Sequence, residues 1–548
     1  MRKQMPMLTS LLAAAMLCNA CSSVDNGFWK ASAEDQSAAV QYAENPELKY
    51  RAMSKTGAYL SSRIARLESD WEAASYYFDD IVNSDGSNLE AHYQAMLMAM
   101  NAGRYDESMS FARYLVEQQH DSALSYVIDA MGRVLEGDYN AASMAIDNIP
   151  MDNLAQLLKE PVQAWLYTAT ENADAVKGLD LSKPFVAYQA IIAADAYNAD
   201  EEIKDIVAHS GALNELPPAL QRHLSSVFAR RNVEYKDALL KADNPADIRN
   251  VADVRHGFAW IYYDLAMPLY LQYQDETGRL LFNMALAMVP DLTEARIRVA
   301  EYAAINGRTR EAIQALSNVS PESRSYNLVQ KIIAELMVDS GEIRPALNIL
   351  EKMAAEQKDL YLYVQIGGIY AKNGMYADAL SAYNKSLKLT SNLNPADFWH
   401  IYFARGRIYD AMGKWPSAEK DLLKALEFQP EQPFLLNYIG YSWADRGLNL
   451  EKALGLIEKA VDLEPNDGAI QDSLGWVYFR LGHFDKATIH LEKAAALMPY
   501  DPVVNDHLGD AYWEVGRRAE AEFQWKRALS NADAPDLVTQ LEEKLSRY

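Results

Sequence analysis

Residues 472–499 read DSLGWVYFRLGHFDKATIHLEKAAALMP, and residues 506–529 read DHLGDAYWEVGRRAEAEFQWKRAL. Laid over each other they share one grammar. Leu474-Gly475 answers Leu508-Gly509, Tyr478 answers Tyr512, Gly482 answers Gly516, Ala487 answers Ala521, and Ala494 answers Ala528. Leucine, glycine and tyrosine at these intervals fall on one face of a first helix, and the two alanines line a second. Tiny residues let two helices approach closely, while the large ones fill the space between neighbours. The glycine between the helices supplies the positive φ of a tight turn. Pro499 ends the first copy, because proline can open a following segment but cannot continue a helix. A hairpin of this kind cannot bury its apolar face alone, so copies must stack.

The same code extends outward. Ile439-Gly440, Trp443, Gly447, Ala453, Ala460 and Pro465 obey it, as do Gly406, Tyr409, Gly413, Ala418, Ala425 and Pro430. Turn glycines recur at Gly307, Gly341, Gly374, Gly413, Gly447, Gly482 and Gly516, at intervals of 34, 33, 39, 34, 35 and 34 residues. This pattern resembles the tetratricopeptide repeat. The resemblance implies an all-α solenoid, a right-handed superhelix of helix-turn-helix repeats with the first helix of each pair lining a concave groove.

Three further repeats fit residues 55–156, with turns at Ser69, Gly103 and Gly137, again 34 apart. Residues 157–258 number three periods of 34 but lack clear anchors, and read as a divergent helical segment of degenerate repeats. Periodicity resumes at 259, where Ala266, Ala285 and Pro290 fall on repeat positions, and a C-terminal array of eight units is expected over 259–535. Residues 536–548 contain a short closing helix, Leu537 to Arg547.

The N-terminus reads as a targeting segment over residues 1–20, with Arg2 and Lys3 ahead of an apolar stretch from Met7 to Leu17. Ala20-Cys21-Ser22 resembles a bacterial lipobox, although Cys18 stands where that family usually has leucine. The resemblance implies acylation at Cys21 and, with serine rather than aspartate after it, a place on the periplasmic face of a bacterial outer membrane. Residues 21–46 then form the acylated cysteine and a flexible tether of roughly 25–30 Å mean span. That reading uses both cysteines of the chain and leaves none for a disulfide or a cysteine metal site.

With 52 basic against 76 acidic residues the chain carries a formal charge of −24. That excludes broad docking on nucleic acid, whose phosphates demand a basic surface, and leaves the N-terminal lipid as the membrane contact. No catalytic constellation stands out. The nine histidines form no i,i+4 pair and no HExxH, His483 and His490 are seven apart, and Gly367-Gly368 lies within a repeat helix. We therefore expect no enzyme activity, no cofactor and no metal.

By resemblance to tetratricopeptide arrays, certain first-helix positions point into the groove. Here they include Phe403, Arg407, Asp410, Asn437, Tyr441, Asp445, Asp472, Trp476, Arg480, Asp506, Asp510 and Trp513. Aromatics interleaved with Asp, Asn and Arg suit protein recognition, since aromatic and Arg side chains dominate binding hot spots. Aromatics that bridge adjacent repeats are the other reading of the same pattern.

A narrower resemblance rests on NYIGYSWADRG (437–447), AIQDSLGWVY (469–478) and HLGDAYW (507–513). These runs are similar to tetratricopeptide lipoproteins that bind periplasmic carboxyl-terminal processing proteases. Such a likeness implies a non-catalytic adaptor that anchors and activates a protease and presents cell-wall hydrolases to it. The alternative is an assembly factor for cell-wall synthesis or envelope polysaccharide export.

Overall fold

The computed structural model describes residues 54–150, 153–242, 249–273, 276–390 and 394–546. The expected signal, the lipidation residue Cys21 and the tether lie outside these. Every regular element among the described residues is a helix, and no helix among them is long and apolar enough to cross a membrane. The chain forms two compact units that divide after Val299.

Unit 1 contains α1 (Lys55–Leu67), α2 (Trp71–Ser84), α3 (Leu89–Asn101), α4 (Tyr105–Glu117), α5 (Ala123–Leu135), α6 (Tyr139–Asp147), α7 (Asn153–Ala169), α8 (Ala173–Lys177), α9 (Pro184–Ala196), α10 (Asp200–His209), α11 (Pro218–Arg231), α12 (Val254–Tyr273) and α13 (Glu276–Met288). Starts are set by short polar caps. Asp70, Asn88, Asp138 and Asn172 each accept a hydrogen bond from the backbone N–H three residues on, which satisfies one of the orphan donors of the first turn.

The turns explain why the middle of the chain was hard to parse. Gly103 and Gly137 take φ of +79° and +82°, but the equivalent turns at Ser69, Glu171 and Asn198 reach φ of +53°, +57° and +59° without glycine. Ser69, Gly103, Gly137 and Glu171 keep the spacing of 34. The divergent segment therefore continues as hairpins, α7 with α8 and α9 with α10. A glutamate at the turn hides the anchor.

The hairpin α12–α13, read from the sequence as the first unit of the C-terminal array, belongs to unit 1. Helix α12 packs on α5, α7 and α9, and α13 packs on α3 and α5. The reason lies in composition: Phe258, Ala259, Trp260, Ile261 and Tyr262 are all buried, so α12 is apolar all round and needs cover on every side. Gly257 makes the approach possible, since a β-carbon there would lie 2.2 Å from the Trp165 indole of α7. Polar ties fix the register. Tyr105 Oη donates to Asn283 at 3.3 Å, and Arg279 donates to the Asn101 carbonyl at 3.2 Å. Arg249 clamps Asp264 with two bonds of 2.6 and 2.7 Å and lies over the Trp260 ring.

The division falls within α14 (Thr293–Ile305). Unit 2 continues with α15 (Thr309–Ser317), α16 (Tyr326–Asp339), α17 (Ile343–Gln357), α18 (Leu360–Lys372), α19 (Tyr376–Leu389), α20 (Trp399–Ala411), α21 (Trp415–Phe428), α22 (Pro433–Asp445), α23 (Leu450–Leu463), α24 (Gly468–Arg480), α25 (Phe484–Leu497), α26 (Pro502–Glu514), α27 (Arg518–Asn531) and α28 (Pro535–Ser546). From α16 onward these pair as hairpins, each packed on the next, and α28 closes on α27 with Leu541 fully buried. All seven turn glycines from Gly307 to Gly516 have φ between +66° and +84°. The helix glycines serve packing instead: a β-carbon at Gly440, Gly475 or Gly509 would stand 2.5 Å from Ile457, Leu491 or Trp525.

Candidate protein-binding face

Two devices join successive repeats of unit 2, and the sequence reading saw only half of each. The first is a bond from the aromatic three residues after the helix glycine of one repeat to a glutamate on the second helix of the repeat before. Tyr370 donates to Glu351 at 2.8 Å, Trp443 Nε1 to Glu419 at 2.6 Å, Tyr478 to Glu458 at 2.9 Å and Tyr512 to Glu492 at 2.8 Å. These tyrosines are held above the ordinary phenol range by partial burial and by the neighbouring carboxylate; Tyr370 and Tyr512 reach about 12.

The second device runs along the first helices. Asp410 of α20 accepts from Tyr438 at 3.0 Å and pairs with Arg446, both from the next repeat. Arg480 of α24 donates to the Asp445 carbonyl of α22 at 2.6 Å. Asp472 of α24 holds His507 of α26, whose Nδ1 lies 3.0 Å from both carboxylate oxygens. Lys544 of α28 reaches Asp506 and Asp510 of α26 at 2.6 and 2.8 Å, and Trp525 Nε1 donates to Asp510 at 3.0 Å. Four of the five acids expected to face a ligand therefore use their side chains to hold the next repeat or the closing helix.

Charge states follow from this. Burial pulls the His507 imidazolium down, but Asp472, Asp506 and Asp510 together outweigh it and hold His507 above its ordinary value. Burial and then the nearby Asp506 raise Asp510, opposed by Lys544. Tyr441 is pushed up to about 12 by burial and by the charges of Asp445 and Asp472.

The aromatic members divide in the same way. Trp476 stacks with His507 at 4.0 Å and with Phe479 at 5.0 Å, and Arg480 approaches it at 5.9 Å. Trp513 is covered by Arg518 at 3.5 Å and by Trp525 at 5.5 Å. Tyr441 is half-buried beside His507, and Asn437 is half-buried with its Oδ1 shielded from solvent and without a hydrogen-bond partner.

Phe403 stands in a different setting. It packs edge-on against Phe434 at 5.3 Å and Tyr438 at 5.5 Å, with Trp399 also against Phe434 at 5.5 Å. Arg407 is exposed and lies 5.8 Å from both the Phe403 and Tyr438 rings. Phe434 remains 45% exposed at the edge of the cluster. Sequence reasoning missed Phe434 and Tyr438. Phe434 sits six residues before the helix glycine Gly440. Tyr361 holds that register before Gly367 and Val503 holds it before Gly509. These two are likewise exposed, at 64% and 40%.

His483 and His490, seven apart in sequence, both flank the Tyr478 ring, and His490 also meets the Gln471 side chain at 3.0 Å. Among the described residues no group of three or more His, Cys, Asp or Glu is placed to hold a metal ion.

Comparison with known proteins places this architecture in a class. The tetratricopeptide repeat profile matches residues 360–393, the hairpin α18–α19. The TPR repeat-containing protein PA4667 of Pseudomonas aeruginosa is 28% identical over 176 residues, covering 32% of this chain and 29% of that protein. The chain thus spans under a third of the length of that relative. The photosystem I assembly protein Ycf3 of Prochlorococcus marinus is 31% identical over 138 residues, covering 23% of this chain and 78% of Ycf3. Among solved structures, a tetratricopeptide repeat protein from Parabacteroides merdae superposes with a TM-score of 0.37 at 17% identity, over 47% of this chain and 99% of that one. The chain belongs to the tetratricopeptide repeat family.

Proposed function

We propose that this chain is a non-catalytic protein–protein interaction scaffold, lipid-anchored at Cys21 on the periplasmic side of a bacterial outer membrane. In this reading it recruits and activates a periplasmic processing protease and presents cell-wall hydrolases to it. The observation that carries the scaffold reading is the cluster Trp399–Phe403–Phe434–Tyr438 with Arg407 beside it. It offers a partly exposed aromatic, an exposed cation and a support drawn from two repeats. Those are the ingredients of a hot spot, where aromatic and Arg side chains carry most of the binding energy. Protease and hydrolase held on one scaffold would meet at an effective concentration of about millimolar, without any new contact between them. The protease assignment is supported by the resemblance of 437–447, 469–478 and 507–513.

The test is capture from periplasmic extract by the chain lacking residues 1–23, beside its Phe434→Ala/Arg407→Ala variant. We expect a processing protease and a cell-wall hydrolase with the parent chain. With the variant we expect about tenfold less of both at unchanged helicity. Capture of synthases or export proteins instead would favour the assembly-factor reading, which the likeness to proteins named for photosystem assembly also supports. Equal capture by parent and variant would remove the Phe434 cluster from the account.

A further inference from the structure

We propose that α1 is a membrane-surface helix that rests on anionic lipid. Its two faces are sharply unequal. Ala58, Ser62 and Ala65 are buried against the rest of unit 1, and all three are small. On the other side Leu60, Ile64 and Leu67, spaced four and three apart, are 55%, 56% and 84% exposed, with Tyr59 beside them also half exposed. Exposed apolar side chains are ordinary when scattered singly, but three at helical spacing form one stripe.

The charge around that stripe runs against the whole chain. Residues 47–68 contain Lys49, Arg51, Lys55, Arg63 and Arg66 against two acids, Glu47 and Glu68, in a chain of net charge −24. Arg66 is tied at 3.0 Å to Glu276, while Arg63 is exposed. A helix with large apolar residues on one face and Lys/Arg flanking them matches the interfacial helices that lie in the headgroup region, where each base near an anionic surface adds to the attraction.

A second copy of the chain is a poorer occupant. Four side chains of this exposure present roughly 400 Å², about half of the ~800 Å² per partner that a stable dimer buries. Lipid needs no such area. The strength of the contact, though not its existence, rests on the lipid-anchor reading. Ser54 lies 33 residues after Cys21, so an anchor there would keep α1 near the bilayer. The contact would orient unit 1 on the membrane.

The chain lacking residues 1–23 contains no cysteine, so Ile64→Cys accepts a single environment-sensitive fluorophore. With vesicles of phosphatidylethanolamine and phosphatidylglycerol we expect a blue shift at position 64, reversed by salt, and none from a label at Glu520→Cys on α27. Leu60→Glu/Leu67→Glu should lower the apparent partition about tenfold without loss of helicity. The proposal is overturned by no response, by an equal response at both labels, by an equal response to pure phosphatidylcholine, or by a shift that depends on protein concentration without vesicles. Because this chain carries no lipid, failure of the anchor reading would show separately, as absence of acyl incorporation that Cys21→Ser abolishes in the full-length protein.

Discussion

Gly475→Ala tests whether the helix glycines of the repeat are packing residues. Helix α24 lies against α25 so closely that a β-carbon at Gly475 would stand 2.5 Å from Leu491 Cγ, 2.9 Å from Leu491 Cδ2 and 3.2 Å from the Ala487 carbonyl oxygen. Carbon atoms pack at about 3.5–4.0 Å, so the overlap is roughly 1 Å. Leu491 is fully buried and cannot swing into solvent, and the Ala487 oxygen belongs to the backbone. The hairpin must therefore open, at a cost of about 1–3 kcal/mol. Against this stands the better helix propensity of alanine, about 1 kcal/mol. The net expectation is a loss of up to about 2 kcal/mol. Gly455 supplies the control, because it is exposed in α23 with nothing within 4 Å of its added β-carbon, and Gly455→Ala should gain about 0.5–1 kcal/mol. Since the two compact units need not unfold together, local stability is best read by hydrogen exchange of peptides from 450–497. Faster exchange over α24 and α25 in Gly475→Ala is expected, with slower exchange over α23 in Gly455→Ala. If both alanines protect equally, the close approach drawn from the structure is wrong.

Three other outcomes follow from the contacts between repeats. His507 is held above its ordinary pKa, so its interaction with Asp472 is fully present below about pH 6.5 and is lost as pH rises through the higher folded value. Exchange over α24–α27 should accelerate across that alkaline window, and His507→Asn should flatten the dependence. Lys544→Met leaves Asp506 and Asp510 facing each other without their cation, and chemical denaturation should show a loss of about 2 kcal/mol in the C-terminal hairpin. Trp476→Ala removes a ring stacked with both His507 and Phe479, so thermal melting should fall by the equivalent of about 2–3 kcal/mol. An unchanged melt would return Trp476 to the list of ligand-facing residues.

The repeat was legible because its signals are local. A turn with φ near +80° wants glycine, and a close helix pair wants glycine and alanine at fixed places, wherever in the fold the hairpin ends up. The same logic failed at Glu171, whose side chain carries no signature of its left-handed turn at φ of +57°, and at Asn198, which suits its φ of +59° but breaks the spacing of 34. The groove positions were placed on the right helices, but their duties were not readable. Asp410, Asp472, Asp506 and Asp510 look like ligand-facing acids in one dimension. Their partners Arg446, His507 and Lys544 come from the following repeat or the closing helix, 34 to 38 residues away.

By itself, then, the sequence determined the helical hairpin, its period and its turns, because backbone sterics and helix-pair spacing act within some thirty residues. The tertiary structure decided where each hairpin found its cover. It set α12 and α13 against α3, α5, α7 and α9, since an apolar helix needs neighbours on all sides and any stacked repeat can supply them. It also tied four of the five acidic groove residues to the next repeat or the closing helix and left Phe434 and Arg407 exposed. A side chain is consumed or available only according to what the next repeat brings beside it, and that is a property of packing.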